Sequence, residues 1–291
     1  MPELAGARRV AAVDFEVIVR TLRRRITIRT DKAELYEATR YLECDPEIEG
    51  YIFEESLVRL EVTDGICRIV ENGSFLQQQL HNRAVIEFLY GHLFEGSILD
   101  YPNAPIIHAA CLRRDGRRLL LVGAKGTGKT TLTLRLMLAG YEVEGDENVF
   151  LYGDGAVARP RALQVKQSTL RLVPELANTI SQRPFLEDYL GQRIYNVDPR
   201  CVGSPWRISY GPVDLVILLR SNHGGYSSIR PVPSLALVQE IMPEMGFPPN
   251  GRGAAVGAVV SMCARARGFD LSLGDHSQAI RCIDAVCRSS G

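Results

Sequence analysis

The chain has 291 residues, 46% of them hydrophobic and 23% charged, enough to bury a full core in one large or two smaller domains and unlike a disordered or fibrous protein. Lys plus Arg and Asp plus Glu each number 34, so no net field draws nucleic acid or an anionic membrane to the surface, and any basic site is local. The seven scattered cysteines contain no C-x-x-C pair, which reads as reduced core thiols rather than a zinc site or a disulfide framework. Met1 to Asp14 lacks a continuous apolar stretch, and nothing downstream reaches the roughly 18 apolar residues of a membrane span. The expectation is a cytoplasmic protein.

From about Asp14 to Phe75 apolar and polar residues alternate in short steps, as in Phe15-Glu16-Val17-Ile18-Val19 and Leu57-Val58-Arg59-Leu60-Glu61-Val62, which predicts antiparallel strands. The basic run Arg23-Arg24-Arg25, with Arg20 close by, falls between two such stretches and reads as the turn and solvated edge of a strand pair. Gln77 to Phe94 carries Leu80, Val85, Ile86, Leu89, Tyr90 and Leu93 near helical spacing, predicting one helix before Gly96; Pro102 and Pro105 then mark a boundary. A smaller β-rich domain is therefore expected over residues 1–104, closed by that helix, and a second domain over 105–291.

The second part opens on a strand from Ile106, a charged turn at Arg113-Arg114-Asp115-Gly116-Arg117-Arg118, and the apolar run Leu119-Leu120-Leu121-Val122, which fits a strand buried on both faces. A glycine-rich loop follows, then a helix over Thr131 to Leu138 closed by Gly140. Strands are predicted at Glu142 to Tyr152, Val157 to Val165 and Asp214 to Leu219, and a helix from Leu235 to Ile241. Pro243 to Gly253 is too rich in proline and glycine for regular structure and is read as a connector in preference to a mobile loop. Helices over Ala254 to Ala266 and Ser277 to Cys287 flank a short strand at Phe269 to Leu273.

Gly123-Ala124-Lys125-Gly126-Thr127-Gly128-Lys129-Thr130 satisfies the pattern G-x-x-x-x-G-K-S/T at every fixed position. Glycines let a backbone curl round an anion without Cβ clashes, so successive N–H groups and the helix N-terminus converge on phosphate oxygens. Lys129 is placed to neutralise the β- and γ-phosphates and the Thr130 hydroxyl to ligate Mg²⁺; with Thr131, the run is the candidate nucleotide cradle. Lys125 lies four residues before Lys129, not five as in P-loop proteins that use a second lysine, and reads as a solvent-facing charge or one near the γ-phosphate. Phosphoryl transfer also needs a carboxylate for Mg²⁺ and, for a hydroxyl acceptor, a base. Asp146 and Glu147, adjacent acids ending the strand after the P-loop helix, are the candidates, against the alternative of a solvated strand end. His108 is either a satisfied core histidine or, if its strand pairs beside the P-loop strand, a group within reach of the γ-phosphate.

The stretch from His108 to Leu151 resembles the HPr kinase/phosphorylase family, and more closely its HPr kinase-related relatives. The shared features are His108-Ala109-Ala110, the charged turn at Arg113 to Arg118, the strand and P-loop from Leu119 to Thr131, Gly140, and Asp146-Glu147. Pro160-Arg161-Ala162-Leu163-Gln164-Val165-Lys166-Gln167 resembles the Pro-Arg and Lys segment those relatives carry beyond the acidic pair. The resemblance implies an α/β fold with a phosphoenolpyruvate-carboxykinase-like P-loop core, ATP with Mg²⁺, and phosphorylation of a serine-type hydroxyl on a peptide, protein or small molecule. Relatives often assemble, so a homo-oligomer is compatible with it, while nucleic acid and membrane are not expected partners. By carry-over Asp146 is the acceptor-activating base or a metal-side acid, Glu147 its neighbour on Mg²⁺, His108 an auxiliary, and Arg161 and Lys166 contacts to phosphate or substrate. The extended glycine-containing signature of the bifunctional enzymes does not follow Lys166, which speaks against phosphorolysis. The second acid is Glu rather than Asp, which leaves the division of roles within the pair open.

Strand alternation would send Arg161, Leu163 and Val165 to one face and Lys166 to the other, so the two cations are expected to do different jobs. The kinase reading competes with a nucleotide-driven switch or assembly ATPase and with a degenerate nucleotide-binding scaffold. The sequence has neither the Asn-Lys-x-Asp of Ras-type GTPases nor the Leu-Ser-Gly-Gly of transporter ATPases, and intact Lys129, Thr130 and Asp146 argue against degeneracy.

Overall fold

A computed structural model describes residues 14–247 and 251–289 as a mixed α/β chain with several sheets. The N-terminal stretch read above for its lack of an apolar run lies, up to residue 13, outside the described residues. Phe15–Arg20 (β1) and Arg24–Thr30 (β2) pair antiparallel with Arg20 opposite Arg25; of the basic run only Arg23 lies in the turn, while Arg24 and Arg25 open β2 and are half-buried rather than a solvated edge. The chain then departs from the expected antiparallel order. Ala33–Thr39 is a helix (α1), and after a short strand at Glu47–Ile48 (β3) the chain re-enters the sheet at Glu54–Thr63 (β4), parallel to β2. Parallel neighbours need a crossover, and α1 lies in it, burying Leu35 and Thr39. Seven residues are too few to show a helical period against an alternating background.

Ile66–Glu71 (β5) and Ser74–Gln79 (β6) complete the order β1-β2-β4-β5-β6. They turn at Asp64-Gly65 and Asn72-Gly73, where both residues of each pair have positive φ, as tight two-residue hairpins require. The helix expected from Gln77 begins instead at Asn82 and runs to Leu99 (α2). Gln77 belongs to β6, and His81 caps the helix by accepting from the Ala84 N–H at 3.2 Å. Gly96 does not end it, since a glycine costs a helix only about 1 kcal/mol when packing holds both flanks.

Ile106–Arg114 (β7) and Arg117–Val122 (β8) form a hairpin whose turn is Asp115-Gly116 alone. The arginines on either side belong to the strands. Lys129–Leu138 (α3) follows the glycine loop, then Glu142–Gly145 (β9), Asn148–Tyr152 (β10), Gly155–Ala158 (β11) and Leu163–Lys166 (β12). Pro174–Ser181 (α4), Phe185–Glu187 (β13), Arg193–Val197 (β14) and Arg207–Ile208 (β15) lead to Leu215–Ser221 (β16) and Ser228–Val232 (β17). The chain closes with Ser234–Ile241 (α5), Met245–Gly246 (β18), Arg252–Arg265 (α6), Arg267–Leu273 (β19) and His276–Arg288 (α7).

The large sheet runs β11-β10-β7-β8-β16-β19-β17, with β9 and β18 also paired to β7. Parity along its central strands divides the core. Leu120, Val122, Val216 and Leu218 face Leu237 of α5 and Val259 of α6, while Leu119, Leu121, Leu215 and Ile217 join Leu132 of α3 and Ile283 of α7 on the other side. The continuous apolar runs are thus covered on both faces, as their composition predicts. The first of these cores continues into the N-terminal sheet through Val17, Ile26, Ile69 and Leu89, and β3 pairs with β15.

Three further expectations change. The single strand over Glu142 to Tyr152 is two, interrupted at Asp146 and Glu147. That over Val157 to Val165 is also two: β11 belongs to the large sheet and β12 to a small one, β12-β14-β13, with Pro160 between them. The segment from Pro243 is more than a connector, because Met245 and Gly246 pair with Ile107 and Ile106 on β7; residues 248–250 lie outside the described residues.

Candidate active site

β8 lies between β7 and the parallel strand β16, and its last residue, Val122, releases the chain into the glycine loop. Gly123 passes close to β16: a Cβ there would stand 3.0 Å from the Leu219 carbonyl oxygen and 3.0 Å from the Thr127 hydroxyl. Gly128, the N-cap of α3, has φ 97°, and a Cβ on it would meet Leu273 at 3.0 Å. A side chain at Gly123 would crowd the Leu219 carbonyl, and one at Gly128 would strain the backbone. The Thr127 hydroxyl donates to the Ala124 carbonyl at 2.9 Å. Lys129 opens α3 and its Nζ reaches back across the loop to donate to the carbonyls of Gly123 and Ala124. Burial holds the Lys129 ammonium below its ordinary pKa, opposed by the carboxylates of Glu244 and Asp146.

The interruption between β9 and β10 gives the two acids opposite surroundings. Asp146 is buried, with Oδ2 3.4 Å from the Thr130 hydroxyl. Burial pushes its carboxyl up to about 6, against the opposing pull of Arg161, Thr130 and Lys129. Glu147 is half-buried and forms an ion pair with Arg161, whose guanidinium lies 5.1 Å from the centre of the Tyr90 ring of α2. His108 sits opposite Asn148 in the β7–β10 pairing, next along the sheet from the acids. Its strand does pair beside β8, and the half-buried ring enters the cleft. Burial and the nearby Lys129 lower the imidazole pKa, with Glu244 opposing, so the ring is neutral at neutral pH.

These groups line one cleft of about 690 Å³. It holds the loop from Lys125 to Thr131, with His108, Asp146, Glu147 and Lys166. Lys125 is exposed at the rim. Lys166 shares a face with Gln164, while Leu163 and Val165 point into the core, so the alternation predicted for β12 places Lys166 in the cleft. Arg161 precedes β12, and its pair with Glu147 directs it; it stands behind the acids and does not line the cleft.

Sequence reasoning missed the far wall. Ser221 ends β16 and His223 follows it, their Oγ and Nε2 2.8 Å apart; Asp275 and His276 follow β19. Both loops leave the carboxyl ends of strands running parallel to β8, β16 beside it and β19 next after, where open α/β sheets hold their ligands. A buried strand followed by Ser221-Asn222-His223-Gly224-Gly225, and a second followed by Gly274-Asp275-His276, is the signal that could have found them. Glu244 was hidden in the segment read as a connector.

No protein-family model matches the sequence, and no curated protein matches it. Among solved structures, that of the Hpr(Ser) kinase/phosphatase from Coxiella burnetii is similar at 14% identity and a TM-score of 0.32, covering 62% of this chain and 95% of that one. A likeness of that size carries no argument about activity. Among the described residues, no helix is long and apolar enough to cross a membrane. Nor does any group of three or more His, Cys, Asp or Glu among them form a ready-made metal cage. A divalent cation shared with phosphate needs no such cage. Thr130 beside the buried Asp146 carboxylate fits that role, whereas Glu147 is already engaged by Arg161.

Proposed function

We propose that the chain is an ATP-dependent kinase that transfers the γ-phosphoryl group to a serine-type hydroxyl of a peptide, protein or small molecule. The reading rests on Asp146, a buried carboxylate held near 6 at the mouth of a glycine loop and beside its threonine. A general base works best with a pKa close to the working pH. The loop amides and Lys129 bind the triphosphate, and the Thr130 hydroxyl would hold Mg²⁺, with Asp146 beside it left to act as the base. When bound, Mg²⁺ would offset negative charge on the phosphate oxygens. Asp146 takes the acceptor proton as the acceptor oxygen bonds to the γ-phosphorus; the bridging P–O bond to the β-phosphate breaks, and ADP leaves. His108, neutral, donates a hydrogen bond to the transferred group, and Lys166 meets it from the opposite wall. Incubation with γ-labelled ATP, Mg²⁺ and seryl peptides, free serine or protein acceptors tests the reading. Label on an acceptor hydroxyl is expected. ATP hydrolysis with no labelled acceptor would instead favour a switch or assembly ATPase.

Lys129→Ala is expected to remove most transfer and weaken ATP binding while melting near the parent temperature, because Nζ meets loop carbonyls and not the core. Isothermal titration and thermal melting check it, and unchanged affinity and turnover refute the cradle. Lys166→Ala should lower kcat/KM by about tenfold, the scale of one charge-assisted hydrogen bond. Arg161→Ala should act differently. Arg161 lowers the Asp146 pKa, so its loss moves the basic form of Asp146, and with it the acid limb of the rate profile, to higher pH. Equal, negligible effects of both substitutions would remove this segment from catalysis.

A further inference from the structure

A second, smaller cavity of about 40 Å³ lies between the N-terminal sheet and the catalytic core, with Arg20, Tyr41, Tyr90, Arg159, Arg161 and Asn196 in its wall. Arg159 is 6% exposed, and neither its Nε nor its Nη1 has a hydrogen-bond partner among the described residues. Its guanidinium lies 4.6 Å from the centre of the Phe94 ring, a contact that fixes its plane and uses none of its N–H donors. The Nε atoms of Arg20 and Arg161 are likewise buried and unpaired.

Arg20 has Asp45 at 3.9 Å and Arg161 has Glu147, but Arg159 has no carboxylate partner among the described residues. Of the other titratable groups in the wall, Glu43 is exposed to solvent, and Tyr90 hydrogen-bonds Arg159. Burial pushes Tyr41 up to about 12 and Cys44 up to about 12, so both stay neutral. Asn196 spends its amide on the Glu43 carbonyl at 3.0 Å and on Gln164. An arginine does not shed its proton, and a buried cation without a counterion costs several kcal/mol.

We infer that this cavity binds a small tetrahedral oxyanion, inorganic phosphate or the phosphoryl end of a phosphomonoester, on the guanidinium of Arg159 with Arg20 and Arg161 beside it. Its volume corresponds to about three water-sized spheres, which suits such an anion and rejects a nucleotide. The site is separate from the cleft and stands whether or not the chain is a kinase. Arg161 lines this cavity and not the cleft, to which it is linked through its pair with Glu147.

The test is thermal melting and isothermal titration of the full chain, without nucleotide, against inorganic phosphate and against phosphoserine. The parent and Lys129→Ala should both gain melting temperature saturably with phosphate. Arg159→Met should lose that gain, yet melt at or above the parent temperature in phosphate-free buffer, since the buried cation is gone. Should Arg159→Met fail to fold, Arg20→Met carries the test, with at least tenfold weaker phosphate binding expected. A matching response to phosphoserine assigns the phosphoryl group of a monoester; a response to phosphate alone assigns the free anion. No saturable response, or an undiminished one in Arg159→Met, overturns the proposal. A response lost in Lys129→Ala but kept in Arg159→Met places the anion at the glycine loop and overturns it equally.

Discussion

Asp146→Asn is expected to lower the transfer rate by about a hundredfold or more while making the nucleotide-free protein more stable at neutral pH. The first effect is loss of the proton acceptor. The second follows from the sign of the pKa shift. The Asp146 carboxyl titrates near 6 in the folded chain against 3.8 in the reference state, so folding favours its protonated form. That preference is fully present below the reference pKa and is lost as pH rises through about 6. Above it, the ionised carboxylate costs the fold about 3 kcal/mol, at roughly 1.4 kcal/mol per unit. Asparagine does not titrate. The variant's advantage in melting temperature should therefore be near zero at pH 4 and clear at pH 8, and parent kcat/KM for ATP should rise as pH passes through about 6. A variant that transfers phosphate normally and melts like the parent at pH 8 would reduce Asp146 to a strand-end charge.

The second large effect lies beneath the acids, at Glu144. Its fully buried carboxylate accepts from Arg118 Nε at 2.9 Å and Nη2 at 3.2 Å, and from the Ser209 hydroxyl at 2.8 Å and N–H at 3.2 Å. The Cys111 thiol donates to it at 3.1 Å, and burial together with this carboxylate pushes that thiol far up. Glu144→Gln strips the counterion from a buried guanidinium and is expected to cost about 3–5 kcal/mol, whereas Arg118→Met with Glu144→Leu removes both charges and should recover most of that. Urea denaturation of the parent, single and double variants measures it. If the single variant unfolds like the parent, β9 is held by its apolar residues alone, and the network does not fix the acidic pair.

Much of one wall of the candidate site was legible because its residues lie close together in sequence. A glycine loop between a buried strand and a helix declares itself, and Asp146, Glu147 and His108 lie one or two strands away. Features that depend on long-range pairing were not legible. Arg118 read as part of a charged turn, and only its place opposite Glu144 shows that it is a buried partner. The alternation before Phe75 is the same whether neighbours run parallel or antiparallel, so the β2–β4 pairing was invisible until α1 appeared between them. Arg161 obeyed its ion pair rather than strand alternation, since Pro160 and the change of sheet start β12 two residues later. Met245 and Gly246 carry no strand signal of their own and are ordered by the edge that β7 offers.

The loop takes its shape from walls encoded far downstream. Leu119 of β8 pairs with Leu215 of β16, Gly123 rests against Leu219, and Gly128 against Leu273 of β19. On the ribosome the whole glycine motif therefore emerges before either strand that moulds it, in a chain whose domains fold as units once their parts are present. A nascent chain that ends short of Leu215 carries every residue of the motif and neither of these two strands, so the loop can take this shape only after nearly all of the chain has been made.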